Sequence, residues 1–388
     1  MIVLSGADVL LPDGLRSSAT VAIDGERIHS IQTESSPSGD AVSTFDLTGH
    51  LVVPGFIDVH VHGVDGVDVL DGPDAVGKIA GALPKYGVTA FCPTTVACSA
   101  ADLRQTLESV QAFQRTPTGH AAHVIGSHLE SNFISPEYKG AQPERHLCRP
   151  SSAEARPILD EIGRAISSVS IVTLAPELEG SLSLIRSLAA DGISVSLGHS
   201  GASFETAEAA IDAGARHATH LFNRMPPLNH RDPGLAGAVL TRQEVAAEII
   251  CDGVHVHSPM IRVAIAAKGV DRMMAITDGT AASGLAEGGV AMLGGRRICV
   301  RAGAAYLDEG TLAGSVATMD LVFWFLVKQV GLSVRDASRM CSTTPAAELR
   351  LDGRGVIAPG AWADLVVLDR ELAVKQTYVS GRLAYSAL

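Results

Sequence analysis

The sequence predicts a (β/α)8 barrel of the TIM type that carries a small β-sandwich domain formed by both chain termini. Three observations predict it. Eight short β-branched or apolar runs alternate with segments of helical period. The two flanking stretches have a different, hairpin-like texture. Six of the eight runs end in His, Glu or Asp, and the C-terminal ends of strands are where a barrel gathers its functional groups.

Residues 1 to about 52 alternate like short strands, and the Asp13–Gly14 and Asp24–Gly25 dipeptides mark tight turns. The closing stretch GVIAPGAWADLVVLDRELAVKQTYVSGRLAYS repeats that texture. The expected division is therefore 1–52 plus 355–388 for the small domain and 53–354 for the barrel. The eight barrel runs are Gly55–His62, Gly87–Thr95, Ala122–Glu130, Ser170–Glu177, Ile193–Ser200, His217–Asn223, Ala247–His255 and Met273–Gly279. Between them lie helical patterns such as GASFETAEAAIDAGA. Near 288–312 the segment GGRRICVRAGAAYL reads as a β-hairpin insertion. An open doubly wound sheet is the competing architecture.

Composition narrows the function classes. Of 388 residues, 46% are hydrophobic and 19% charged, a globular balance. The formal charge of −12 argues against a broad nucleic-acid surface, though a local Arg/His cluster can still hold a small anion. The six cysteines form no CxxC pair, as expected of reduced thiols in the cytoplasm. No secretory signal is expected at the N-terminus, and the apolar run Leu321–Val327 is too short to span a bilayer. Trp324 and Phe325 in that run read as core or subunit interface.

His60-Val61-His62 places two imidazoles at i and i+2 of a strand, hence on one face, where both reach one cation. Glu130 can bridge two cations with its two oxygens. His199 and His220, from neighbouring strands, can complete a second site, which leaves Asp278 free to handle protons. Any one of these histidines alone is better explained as a satisfied core residue. The strand-end placement of all of them is what implies a divalent-metal centre of one or two ions, with Zn, Fe or Mn suited to the donors.

The motifs PGFIDVHVHG (Pro54–Gly63), HLE (His128–Glu130), FISPEYKGA (Phe133–Ala141), LGHSGAS (Leu197–Ser203), THLFN (Thr219–Asn223), DPGLAGA (Asp232–Ala238), CDGVHV (Cys251–Val256), TDG (Thr277–Gly279) and TLAGS (Thr311–Ser315) resemble the N-acetylglucosamine-6-phosphate deacetylase family of the amidohydrolase superfamily. The resemblance implies Glu130, His199 and His220 as core metal ligands, His60 and His62 as ligands of a second metal, and Asp278 as catalytic base and acid. It implies that Asn223, Arg231 and His255 hold a sugar phosphate and that Leu312, Ala313 and Gly314 line the pocket. It also implies a homodimer and hydrolysis of an N-acetyl group. A metal would bring the pKa of water toward ~7, and Asp278 would carry the proton to the departing amine.

The sequence departs from that pattern in the loops. Ser131-Asn132 stands where the family has Gly-Pro. Gln142 stands for a substrate-facing His beside Ala141, Arg224 for a small residue, and Gly279 for Ala. No metal ligand is touched, so the changes read first as family drift that keeps both the reaction and N-acetylglucosamine 6-phosphate as substrate. The alternative is the same chemistry on another N-acyl amino sugar such as N-acetylgalactosamine 6-phosphate, another phosphate position or another amide. His128 is expected to support the ligands from behind. Glu177 is expected to make a structural hydrogen bond, and His217 and His230 to be scaffold or surface. Related barrels that use a carboxylated lysine on the fourth strand are disfavoured, because SIVTLAPE has none. A non-catalytic sugar-phosphate-binding barrel is disfavoured because no expected ligand is missing.

Overall fold

In the computed structural model, which describes residues 1–32, 43–116 and 119–388, all eight predicted runs contribute strands to one parallel sheet. We label these β1 (Phe56–Val61), β2 (Val88–Thr95), β3 (Ser127–Glu130), β4 (Val169–Leu174), β5 (Ser194–Leu197), β6 (His217–Ala218), β7 (Ala246–Ile250) and β8 (Met273–Ile276). The third run is broken: His123–Val124 pairs with β2 on its own, ahead of β3.

The sheet closes. Val61 bridges Gly279 in parallel, and the Gly279 carbonyl accepts from the amides of His62 (2.8 Å) and Gly63 (3.0 Å). Buried Asp58 reinforces the seam, accepting from Thr277 Oγ1 at 2.6 Å. Closure excludes the doubly wound alternative. Every residue of β2 is buried, as expected of a parallel strand covered on both faces.

Helices cover the outside as the sequence pattern requires. Ser99 and Ser203 cap Ala100–Arg115 and Phe204–Asp212, each accepting at 3.2 Å from the amide three residues on. Two apolar layers result. A large one lies between strands and helices. A smaller one, including Ile57, Val59, Ala90, Ile171, Ile250 and Met274, lies on the other face of the strands.

Both chain ends join one eight-stranded sheet. Leu51–Pro54 pairs with Leu365–Leu368, so the N-terminal strands and the three C-terminal strands share a continuous ladder with its own apolar cluster. The insertion forms four antiparallel strands, Val290–Leu293, Arg296–Arg301, Ala304–Leu307 and Leu312–Ser315. It extends further than a single hairpin. Arg296 Nη1 donates to the Ala141 carbonyl at 3.1 Å and the Gly294 amide to Asp68 Oδ2 at 3.2 Å, which holds the insertion against the barrel mouth.

Candidate active site

Barrel closure brings together side chains separated by over two hundred positions. His60 and His62 leave the end of β1, Glu130 ends β3, and His199, His220 and Asp278 follow β5, β6 and β8. Three of them have left-handed backbone: His199 (φ 47°), His220 (φ 29°) and Asp278 (φ 48°). Such conformations cost energy in non-glycine residues, and here they aim each side chain inward from a sharp strand exit. Glu177 holds one of these turns, accepting from Ser200 Oγ and the Gly201 amide at 2.7 Å each. Gly198 precedes His199 because a Cβ there would lie 2.7 Å from that of Thr219.

The donor atoms form two overlapping groups that share Glu130: His60/His62/Glu130 and Glu130/His199/His220. The Nε2 atoms of His60 and His62 are 3.2 Å apart, and those of His199 and His220 are 3.1 Å apart. Glu130 Oε1 lies 2.8 Å from His199 Nε2 and 3.0 Å from His220 Nε2, while its Oε2 lies 3.4 Å from His62 Nε2. Asp278 Oδ1 sits 3.3 Å from His60 Nε2 and 3.2 Å from His62 Nε2.

These residues fit a metal. His62 Nδ1–H donates to the Thr94 carbonyl (3.1 Å), and His199 Nδ1–H to the Tyr138 carbonyl (2.8 Å). His60 Nδ1–H donates to Glu248 Oε2 at 2.8 Å. With Nδ1 occupied, the neutral tautomers of His60, His62 and His199 turn their Nε2 lone pairs to the centre, an arrangement that suits a cation. The electrostatics agree. Burial opposes charge on His60, but Glu248 and Asp278 outweigh it and raise its pKa to about 9. At His62 burial is again outweighed, by Asp278 and Glu130, and the pKa rises to about 10. The site is a carboxylate-rich pocket that attracts positive charge.

Above the cluster opens a cavity of about 440 Å³. Ala141, Gln142, Asn223, Arg224, His255, Leu312 and Gly314 line it, together with His62, Glu130, His199, His220 and Asp278. Sequence reasoning had not singled out Val96, Glu137, Tyr138, Phe222, Met225 and Leu293, which complete the wall. Two expected residues are elsewhere. Ala313 is fully buried and points into the insertion's apolar cluster, because alternate residues of Leu312–Ser315 face opposite sides. Arg231 is exposed on its loop, outside the cavity wall.

The four departures also separate. Ser131 and Asn132 turn away from the cavity: Ser131 Oγ donates to the Thr173 carbonyl (2.6 Å), and Asn132 Nδ2 to the carbonyls of Cys98 and His146 (2.8 Å each). Gly279 serves the barrel seam. Gln142 donates to Glu130 Oε2 and accepts from the Ala97 amide at 2.7 Å, so it braces Glu130. Arg224 (φ 52°) is half-buried in the wall, lies across Gly140 and donates to the Leu312 carbonyl at 3.3 Å. Near it, His255 Nδ1–H donates to Asp252 Oδ2 at 2.6 Å. Burial works against charge on His255, but Asp252 outweighs it and raises the pKa.

His128 does not reach the cavity. Its Nδ1–H donates to the Val59 carbonyl at 2.9 Å, and its Nε2 accepts from Thr173 Oγ1 at 2.7 Å. Burial drives its pKa down to about 3, so it stays neutral. His217 is buried inside the barrel and His230 is exposed.

A closed barrel with a histidine–carboxylate cluster at its C-terminal mouth defines a hydrolase of the amidohydrolase class. The Amidohydrolase family model matches residues 51–384. An N-acetylglucosamine-6-phosphate deacetylase of Bos taurus is 40% identical over 88% of this chain and 85% of its own. An N-acetylgalactosamine-6-phosphate deacetylase of Escherichia coli O157:H7 is 37% identical, covering 88% of this chain and 90% of its own. A mutant N-acetyl-D-glucosamine-6-phosphate deacetylase from Mycobacterium smegmatis, solved in complex with N-acetyl-D-glucosamine 6-phosphate, superposes with a TM-score of 0.90. It is 31% identical and covers 99% of both chains. The chain belongs to the amidohydrolase family and, within it, to the N-acetylglucosamine-6-phosphate deacetylases.

Proposed function

We propose that this site hydrolyses the N-acetyl group of an amino-sugar phosphate, N-acetylglucosamine 6-phosphate first, to acetate and the free amino sugar. The observation that carries the reading is Asp278, held 3.2–3.3 Å from two ligand nitrogens at the floor of a cavity whose wall contains Arg224 and His255. His60, His62, Glu130, His199 and His220 would hold one or two divalent ions of the Zn, Fe or Mn kind, with Glu130 shared. A bound ion acidifies water and polarises the amide carbonyl. Asp278 takes the proton of the attacking water and delivers it to the departing nitrogen, so that the C–N bond breaks as the amine forms. Gln142 keeps Glu130 in place, and Asn223, Arg224 and His255 grip the sugar phosphate. Ala141, Leu312 and Gly314 shape the wall around the acetamide and ring.

A specific observation favours a second sugar. Arg224 and Gln142 alter the substrate wall, and one relative carries the galactosamine name. Acetate release from N-acetylglucosamine 6-phosphate, its galactosamine epimer and unphosphorylated N-acetylglucosamine decides among them. With Asp278→Asn, turnover is expected to fall by about 10²–10⁴. Full activity in that variant, or no acetate from any of the three sugars with the metal-loaded protein, overturns the reading.

The remaining assignments follow the same reading. A second copy of the chain would cover the exposed apolar side chains Leu321, Trp324, Val254, Met260 and Val263. Gly253 packs under the Phe325 ring, where a Cβ would lie 2.8 Å away, and Arg262 Nη1 reaches the Val330 carbonyl at 3.3 Å, so these segments adjoin. All six cysteines are free thiols, which fits a reducing cytoplasm, and among the described residues no helix is long and apolar enough to cross a membrane. The division into 1–52 plus 355–388 and 53–354 is supported by the separate apolar cluster of the terminal sheet.

A further inference from the structure

We propose that Glu248, a buried carboxylate in the middle of β7, is the positioning residue that sets the tautomer and donor strength of His60. The inference rests on the reading of the histidine–carboxylate cluster as a cation site. Glu248 is fully buried among apolar strand residues, in the sequence AAEII. A charge in such a place is retained only if its surroundings compensate it. The hydrogen bonds that do so fall on Oε2. Oε2 accepts from His60 Nδ1–H at 2.8 Å and from the His220 amide at 3.3 Å. Oε1 stands 3.0 Å from His217 Nε2 and 3.7 Å from His128 Nδ1.

His60, His128 and Glu248 lie close enough together to suggest a separate cation site. The hydrogen bonds exclude it. Both ring nitrogens of His128 are engaged, with the Val59 carbonyl and Thr173 Oγ1, and His60 Nδ1 carries the proton given to Glu248. Those nitrogens are already taken up by other partners. What remains is a carboxylate–imidazole–cation line, in which Glu248 pulls on Nδ1–H and His60 Nε2 points to the cluster.

The ligand histidines are not backed alike. His62 and His199 donate to neutral carbonyls, those of Thr94 and Tyr138. Only His60 leans on a full negative charge. A carboxylate partner fixes the ring more firmly and makes the imidazole a better donor than a carbonyl does. The His60/His62 half is thus singled out, while the Glu130/His199/His220 half depends on Glu248 only through the long contact to the His220 amide.

The test uses Co(II) as the probe. The full chain is stripped with a chelator and titrated with Co(II), following bound equivalents and visible absorption, for wild type, Glu248→Gln and Glu248→Leu. Melting curves and circular dichroism confirm that each variant is folded. Glu248→Leu is expected to weaken binding at the His60/His62 half by about 10–100-fold and to leave the other half at wild-type affinity. Glu248→Gln, whose amide oxygen still accepts from Nδ1–H, is expected to lose about 10-fold and so to rescue part of the defect. In a His60→Leu background the Glu248 substitutions should add no further loss, because the residue acts through that imidazole. Wild-type titrations in both Glu248 variants, or equal weakening of both halves, overturn the positioning role while the cation site stands. Wild type that takes up no Co(II) overturns the cation site and the proposal together.

Discussion

Arg224→Ala measures how much of the substrate affinity comes from charge recognition. The guanidinium stands in the cavity wall, half-buried, braced by Gly140 below it and the Leu312 carbonyl at 3.3 Å. It is therefore held in place before substrate arrives and loses little freedom on binding. A hydrogen bond to a charged group is worth about 1.5–3 kcal/mol. At about 1.4 kcal/mol per tenfold, removing one such contact to a phosphate costs roughly 10- to 150-fold in kcat/KM. The assay compares kcat/KM for N-acetylglucosamine 6-phosphate with that for N-acetylglucosamine, in wild type and variant. The expected loss falls on the phosphorylated sugar alone and appears in KM, because the phosphate is bound similarly before and during reaction. An equal loss on both sugars, or a gain on the unphosphorylated one with none lost on the other, would show that Arg224 only fills space.

Arg354→Ala should destabilise the protein by about 3–5 kcal/mol in urea unfolding. It removes the partner of buried Asp364, whose pKa burial already raises, and Arg354→Ala with Asp364→Asn should recover part of the loss. Burial lowers the pKa of Lys268 from 10.5 to about 8, while its ammonium donates to the Arg242 carbonyl at 2.7 Å. Between those pH values the unfolded chain binds the extra proton. Stability relative to Lys268→Met should therefore rise as pH increases from 8 toward 10.5 and be lost as pH falls through 8; urea midpoints with no such difference would refute it. Trp324→Glu with Leu321→Glu should convert a dimer to a monomer in light scattering, whereas an unchanged mass would clear that face of a role in assembly.

The fold was legible because parallel barrel strands carry two independent signals. They are buried on both faces, so they read as continuous apolar runs. They also end where polar groups gather, so a His or Asp at the end of such a run is informative. His60-x-His62 was legible for the further reason that i and i+2 share a strand face. Glu248 was not legible. A single glutamate in AAEII looks the same whether it faces the barrel interior or a helix, and only its proximity to His60 reveals its role.

The loops divided in the same way. Ser131, Asn132, Gln142 and Arg224 all looked like substrate-facing changes by position. The structure sends the first two to backbone carbonyls, turns Gln142 onto Glu130, and leaves Arg224 as the one whose cation stands in the wall. Arg231 and Ala313 occupy motif positions, yet one is exposed and the other faces an apolar cluster. By itself, the sequence determined the barrel and the candidate ligand residues, since these rest on local periodicity and on residue type at strand ends, while the kind of reaction came from the resemblance of its motifs. Only the tertiary structure decided which loop side chains face the cavity and which hidden charge backs a ligand. Those depend on rotation about strand exits and on contacts between residues as distant as 60 and 248, and no local pattern encodes either.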